Sequence, residues 1–130
     1  MKIELFCLCD AATNENGKLN LLGTYDTLRV SALPAVHPYC AVAMRIRFSS
    51  MENGPHTVVI SIIDEDGSKF IPPLKGAVEV YIPDGETTAA FNFVFNLQQL
   101  KFVKAGEYGI DLIIDGKVEG SLPMMVRMNK

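Results

Sequence analysis

The sequence predicts an all-β fold, a two-layer antiparallel β-sandwich of about eight strands. Five of the ten glycines follow directly on an asparagine or aspartate, and such dipeptides suit tight turns because both residues tolerate positive φ. Apolar and polar residues also alternate over several segments, with the two-residue period of a strand that buries one face. The five dipeptides are Asn16-Gly17, Asn53-Gly54, Asp66-Gly67, Asp84-Gly85 and Asp115-Gly116.

The first third of the chain predicts two strands and a crossing loop. Residues 3–9 form a short apolar strand, and a turn through residues 14–17 leads into a second strand at 19–25. A doubled leucine just before Gly23 breaks the alternation there, which indicates a bulge. Pro34 and Pro38 lack the backbone N–H that a ladder needs, so we expect a loop between the layers at this point.

The middle of the chain predicts a strand at 39–49 with one buried and one solvated face, because its apolar residues recur at every second position. Residues 56–64 are nearly all apolar, which favours a central strand covered on both sides. The segment 70–73 contains two prolines, so we expect it to be a weak edge strand. A further strand follows at 78–82.

The last third of the chain predicts three strands and two apolar residues that close one end of the core. Three phenylalanines at spacing two lie on one face of a strand at 88–97, and Leu100 and Phe102 are expected to close the end of the sandwich. Strands at 106–114 and 118–128 are joined by a tight turn. The three phenylalanines are Phe91, Phe93 and Phe95.

The length and the net charge of the chain limit the classes of protein to which it can belong. The 130 residues are enough for one domain, residues 1–130, that can bury a core without a disulfide or a metal. The net charge of −3 and the absence of any run of lysine or arginine argue against a nucleic-acid partner. The hydrophobic content of 48% makes a self-associating surface plausible.

The N-terminal apolar stretch does not predict a signal peptide or a membrane anchor. Glu4 interrupts the stretch and Asp10 ends it, whereas a signal needs about 7–15 uninterrupted apolar residues. No segment reaches the roughly 18 apolar residues of a membrane span. We therefore expect no membrane partner and a cytoplasmic protein with reduced thiols.

Catalytic motifs are absent from the sequence. The chain has only two histidines, His37 and His56, and both stand beside prolines at loop edges. No nucleophile elbow, zinc-protease motif or phosphate loop is present. The sequence therefore predicts no enzyme, no catalytic residues and no cofactor.

Cysteines suggest a zinc site only weakly. Cys7, Cys9 and Cys40 could meet His37, but Cys7 and Cys9 lie one residue apart on a strand, whereas structural zinc sites favour pairs with two intervening residues. Free cysteine commonly behaves as a small buried apolar residue. Core packing is the favoured interpretation.

The acidic turn that contains Asp64 and Asp66 is the candidate calcium site, since clustered carboxylates on loops bind hard cations. Convergence with Asp10, Asp84 or Asp115 at the end of the sandwich would complete such a site. The EF-hand pattern is not present, and aspartate-rich turns are favoured for turn geometry alone. We expect no metal and keep Asp64 and Asp66 as the candidate ligands of an alternative.

A polar patch is expected on the solvated face of one sheet. If the strand at 39–49 pairs with the strand at 88–97, then Arg45, Arg47, Asn92 and Asn96 share that face. Such a patch could bind a protein partner, an anion or a saccharide, or could simply be a solvated sheet face. These four residues are the candidate contact face.

Two resemblances support this prediction. The order of strands after residue 39 and the Gly106-x-Tyr108 motif resemble the immunoglobulin-like sandwich and its tyrosine corner, without the Cys-Trp-Cys core of antibody domains. The whole chain resembles a family of small, uncharacterised bacterial proteins described only as a domain of unknown function. Cys9-Asp10, residues 17–23 and residues 64–67 carry that second resemblance, together with Gly106-x-Tyr108. It implies the fold and a bacterial origin, and no active site.

The sequence therefore predicts a non-enzymatic module that works through protein–protein contact. The expected partner is an unidentified protein or a second copy of the chain, and we expect a dimer or a higher assembly. The alternative is a domain that binds a small ligand or calcium with the loops at one end of the sandwich.

Overall fold

The structure is a computed structural model that describes residues 1–129. This part of the chain forms nine strands and one 3₁₀ turn, at Ser50–Glu52. None of its helical segments is long and apolar enough to cross a membrane. The strands are β1 (Lys2–Glu15), β2 (Lys18–Thr24), β3 (Thr27–Val30), β4 (Ala35–Ser49), β5 (Gly54–Ile63), β6 (Leu74–Val80), β7 (Thr88–Phe102), β8 (Gly106–Ile114) and β9 (Lys117–Met128).

Two sheets are formed by the described residues. Sheet A has the order β2-β1-β4-β7, and sheet B has the order β3-β9-β8-β5-β6 and curves into a half-barrel. One main core lies between them, built from the alternate residues of strands in both sheets. The predicted all-β class is confirmed. The largest fully buried side chains include Phe48, Phe102, Met44, Ile46, Ile60, Ile62, Ile110, Leu112 and Met124.

Two details of the predicted topology are wrong. The described chain has nine strands rather than about eight, because residues 27–30 form a strand in the stretch that was expected to lead into a loop. This strand, β3, pairs with β9 in parallel, so the fold is not purely antiparallel. The chain crosses from one sheet to the other after β2, where the Tyr25 N–H donates to the Leu8 carbonyl at 3.1 Å.

The first strand is much longer than predicted, because β1 continues to Glu15 and forms a hairpin with β2. The hairpin, residues 10–24, bends over the outer face of sheet A, the face turned away from the main core. At the bend Gly23 has a φ of +68°, and a Cβ there would lie 2.5 Å from a carboxylate oxygen of Asp10. Glycine is therefore needed at the point where the sequence predicted a bulge.

The hairpin buries a part of sheet A that was expected to be solvated. Ala41 and Ala43 of β4 point to the outer face, yet both are fully buried, together with Cys9. Leu19 and Leu21 of the hairpin pack against them. Small side chains on β4 let the hairpin approach closely, so a second, smaller core forms beneath it.

Two proline-containing segments differ from the prediction. Pro38 lies within β4 rather than in a loop, and it is tolerated because β1 pairs with β4 only as far as the contact between Cys9 and Ala41. Residues 70–73 form no strand, since the chain leaves the ladder after an isolated bridge between Ile63 and Lys69.

Aromatic residues close one end of the main core. Phe70 stacks on Phe102 with ring centroids 4.7 Å apart, and Tyr108 meets both rings edge-on at 5.2 Å. The Tyr108 hydroxyl donates to the Lys104 carbonyl at 2.9 Å, which is the contact expected of a tyrosine corner. The predicted burial of Leu100 and Phe102 at this end is confirmed.

Candidate interaction surface

Four strands of the described chain lie at sheet edges, namely β2 and β7 in sheet A and β3 and β6 in sheet B. Three of them are short and carry charged side chains, which discourages the addition of another strand. β2 and β6 have seven residues each and β3 has four. Their charged residues are Lys18 in β2, Arg29 in β3, and Lys75 and Glu79 in β6.

The β7 edge differs from the other three in length and charge. β7 has fifteen residues, and neither an ionisable side chain nor a proline occurs from Thr88 to Leu100. Its ladder partner within residues 1–129 is β4 alone, in one continuous register from Ser49↔Thr88 to Ala35↔Phe102. The main-chain groups along the other side of β7 therefore have no strand to pair with there.

A row of aromatic side chains lies on the core side of the same strand. Phe91, Phe93 and Phe95 pack against the main core, as predicted, but each is only partly buried. Phe95 reaches across to β6, where its ring lies 3.3 Å from the position of a Cβ on Gly76. The row therefore lines the side of the molecule where β6 and β7 are both edge strands, and part of its apolar surface faces water.

The predicted pairing of β4 with β7 is present, and it places the arginines of the contact face close to an acidic neighbour. Glu4 of β1 accepts from Arg45 Nε at 3.0 Å and from Arg47 Nε at 2.8 Å. The hydrogen bond from Arg47 is the main reason that the pKa of Glu4 lies below its ordinary value. An anion at this face would have to compete with Glu4.

The two asparagines of the contact face also have partners. Asn92 accepts from Arg45 Nη1 at 3.2 Å, and its amide donates to the Gly17 carbonyl at the tip of the hairpin at 3.1 Å. Asn96 accepts from the Tyr39 hydroxyl at 2.6 Å. The structure thus brings the four predicted residues together on one face, where Asn92 helps to hold the hairpin down.

The carboxylates of Asp64 and Asp66, the candidate calcium ligands, already have partners within the protein. Asp64 Oδ1 accepts from the backbone N–H groups of Asp66 at 2.9 Å and Ser68 at 3.0 Å, and Asp66 pairs with Lys104 at 3.0 Å. Asp115 lies at the opposite end of β5, where it accepts from the Thr57 N–H. No group of three or more histidine, cysteine, aspartate or glutamate side chains in residues 1–129 could hold a metal ion.

The cysteines are free thiols that lie in two different layers. Cys40 belongs to the main core and Cys9 to the small core beneath the hairpin. Burial raises the pKa of the Cys9 thiol to about 11, and its sulfur donates to the Ala41 carbonyl at 3.6 Å. His37 forms a hydrogen bond with the Tyr25 hydroxyl at 3.0 Å. This packing matches the favoured interpretation of the cysteines.

A family model described as "Family of unknown function (DUF6941)" matches residues 4–127. The chain belongs to this family. The match runs from β1 to β9 and includes all of β7, so the free edge is part of the DUF6941 domain itself. No match was found among the curated proteins.

The DUF6941 structure also contains a charged cluster that the sequence did not predict. His56 Nδ1 donates to Asp115 at 2.6 Å and Nε2 donates to the Glu52 carbonyl at 2.6 Å. Both partners only accept, so the two contacts favour the ring with a proton on each nitrogen. The Glu52 carbonyl, followed by Asp115, raises the pKa of His56. With both nitrogens engaged, His56 links Glu52 to Asp115 and has no nitrogen free to act as a base.

We expect the thermal stability of this DUF6941 protein to fall as the pH rises through the pKa of folded His56. That pKa lies above the ordinary value of 6.5, so the contribution is complete below about pH 6.5 and is lost above it as the ring deprotonates. The lowered pKa of Asp115 keeps its carboxylate charged throughout this range. Melting temperatures from about pH 6 to about pH 8, below the range in which the cysteine thiols titrate, should show the loss, and His56→Gln should remove it.

The other histidine provides the control for this experiment. Burial lowers the pKa of His37, so its effect on stability lies on the acidic side of its ordinary pKa. His37→Gln should therefore keep the alkaline loss seen in the wild type. An unchanged slope in His56→Gln would contradict the role given to His56.

Proposed function

We propose that this DUF6941 protein is a non-enzymatic module that works through protein–protein contact, including contact with a second copy of itself. The observation that carries the proposal is the long, uncharged edge of β7, from Thr88 to Leu100, whose main chain has no strand beside it in the described structure. An edge of this kind can add a partner strand through main-chain hydrogen bonds. The function would then be recognition, with β7 as the docking strand.

A comparison with the other three edge strands supports β7 as the docking strand. The charged residues on β2, β3 and β6 are the features by which natural sheets avoid pairing with other chains. The partly exposed Phe91, Phe93 and Phe95 add an apolar surface beside the free main-chain groups. Apolar side chains and main-chain hydrogen bonds together are the two sources of affinity in strand addition.

The environment of the histidines supports a role without catalysis. Both ring nitrogens of His56 donate to acceptors within the protein, and His37 is bonded to Tyr25. A general base needs a nitrogen that can reach a substrate proton. His56 has no such nitrogen in this arrangement, and the Nε2 of His37 is engaged by Tyr25.

The cellular location, the fold family and the source of the protein are part of the same proposal. Free, buried cysteines such as Cys9 and Cys40 suit a reducing compartment, which supports a cytoplasmic location. The Tyr108 contact to Lys104 supports kinship with immunoglobulin-like sandwiches. A bacterial source is proposed from the resemblance of the chain to small bacterial proteins.

Charged residues introduced on the β7 edge should abolish self-association. We expect the wild type to be a dimer by light scattering at micromolar concentration and Ala90→Glu/Asn96→Glu to be a monomer. Ala90 pairs with Arg47 and Asn96 is exposed, so the two glutamates should leave the fold intact, with a wild-type circular-dichroism spectrum.

The control places a glutamate on another edge strand. Leu22 of β2 is 68% exposed, and Leu22→Glu should leave the dimer unchanged. A wild-type protein that remains monomeric throughout the micromolar range would contradict self-association. A dimer that survives Ala90→Glu/Asn96→Glu would show that β7 is not the docking strand.

A further inference from the structure

We infer that the occupant of the β7 edge is a second copy of this chain, paired antiparallel about a two-fold axis at Phe93. The inference rests on the proposed function and adds to it the partner and the register. Side chains of paired residues point to the same face in an antiparallel pair, so the axis must pass through a residue position. The remaining question is which residue stands at that position.

The regular part of β7 identifies this residue. Gln99 has a φ of +53°, which interrupts the extended backbone and leaves residues 88–98 as the regular edge. The midpoint of 88–98 is Phe93. The partly buried row of Phe91, Phe93 and Phe95 is centred on the same residue. Pairing about Phe93 thus uses the whole regular edge and the whole aromatic row.

On the core side this register pairs aromatic residues with each other. Phe93 lies opposite Phe93 of the second copy, and Phe91 lies opposite Phe95 of the second copy. Aromatic cross-strand pairs are among the stabilising pairs of antiparallel sheets. The partner's rings would cover the apolar surface that these side chains leave exposed in a single copy.

Charged residues first appear beyond the ends of the regular edge. Lys101 follows this edge in the chain, and Asp84 and Glu86 precede it, so the lysine of one copy and the acidic residues of the second copy lie at the same end of the antiparallel pair. The two-fold axis repeats this arrangement at the other end. Between the two ends the paired edges contain no ionisable side chain, so no like charges oppose each other there.

Pairing of this kind ends at a dimer. The axis makes the contact isologous, because each copy uses the same strand and the edge is consumed once two chains have paired. The two copies of four-stranded sheet A become one sheet with two β2 strands at its outer edges. These edges are short and carry Lys18, so further growth is disfavoured.

A cysteine pair tests the register directly. On the outer face, Ala90 lies opposite Asn96 of the second copy. Ala90→Cys and Asn96→Cys chains should remain uncrosslinked alone and form a disulfide dimer when mixed, equilibrated and treated with oxidised glutathione. Wild-type protein, with its three native cysteines, is the background control.

A third cysteine variant reports the neighbouring register. A two-fold axis at Val94 would bring Ala90 opposite Gln98 instead, so a mixture of Ala90→Cys with Gln98→Cys would crosslink in place of the first mixture. That result, or a dimer in which neither mixture crosslinks, would overturn the register while leaving self-association in place. A monomeric wild type would overturn the proposed function as well.

A charge pair at the same two positions gives an independent measurement. Ala90→Glu/Asn96→Lys places opposite charges across both equivalent contacts, whereas Ala90→Glu/Asn96→Glu places like charges there. We expect the dimer dissociation constant of the first variant to be lower by about tenfold or more. Equal dissociation constants for the two variants would contradict the pairing of residue 90 with residue 96.

Discussion

Phe102→Ala is expected to lower the free energy of unfolding by about 3–5 kcal/mol, the usual cost of removing a fully buried phenylalanine. Phe102 is 0% exposed and lies between Phe70 and Tyr108, which stack on it and meet it edge-on. Alanine would leave a cavity between Phe70 and Tyr108. The two aromatic neighbours would also lose their most favourable contact.

Chemical denaturation followed by circular dichroism measures this change, and the melting temperature should fall by about 10 °C or more. Val103→Ala is the matched control, because Val103 is the next residue along the chain and is 67% exposed. We expect the control to lie within about 0.5 kcal/mol of the wild type. A Phe102→Ala protein as stable as the Val103→Ala protein would show that the aromatic end of the core contributes little.

Local patterns were sufficient to predict most of the strands. The period of two in residues 42–48 gave the buried face of β4, and the phenylalanines at spacing two gave the inner face of β7. Turn chemistry placed the hairpins at Asn16-Gly17 and Asp115-Gly116, where both residues adopt positive φ. These features depend on neighbouring residues alone, which is why a single sequence reveals them.

Contacts between distant segments could not be predicted in this way. The alternation in β4 shows that Ala41 and Ala43 face away from the core, but not that Leu19 and Leu21 cover them. The only available signal was the small size of the two alanines between larger residues. A solvated face was the simpler interpretation, and the covering hairpin made it wrong.

The His56 cluster was missed for the same reason. His56 and Asp115 are 59 residues apart, and they meet because β5 pairs with β8 in a register that a single sequence does not reveal. The proline before His56 indicated a loop edge, yet the residue lies inside β5. By contrast, Arg45 and Asn92 were placed on one face correctly, because that placement needed only the pairing of two strongly patterned strands.

Ala43→Asp is expected to release the β1–β2 hairpin while the rest of the fold remains intact. Ala43 is fully buried between sheet A and the hairpin, and an unpaired carboxylate there would cost several kilocalories per mole. Arg45, the nearest cation along the strand, is already held by Glu4 and Asn92. Lifting the hairpin returns the carboxylate to water.

Hydrogen exchange separates local release from global unfolding. Amides of the hairpin, residues 10–24, should lose protection by about tenfold or more, whereas amides of β8 should exchange as in the wild type. Ala105→Asp, at an exposed position, is the control and should leave both regions protected. Equal loss of protection in the hairpin and β8 would mean that the hairpin and the two sheets unfold as one unit. The small core beneath the hairpin would then be required for the stability of the whole fold.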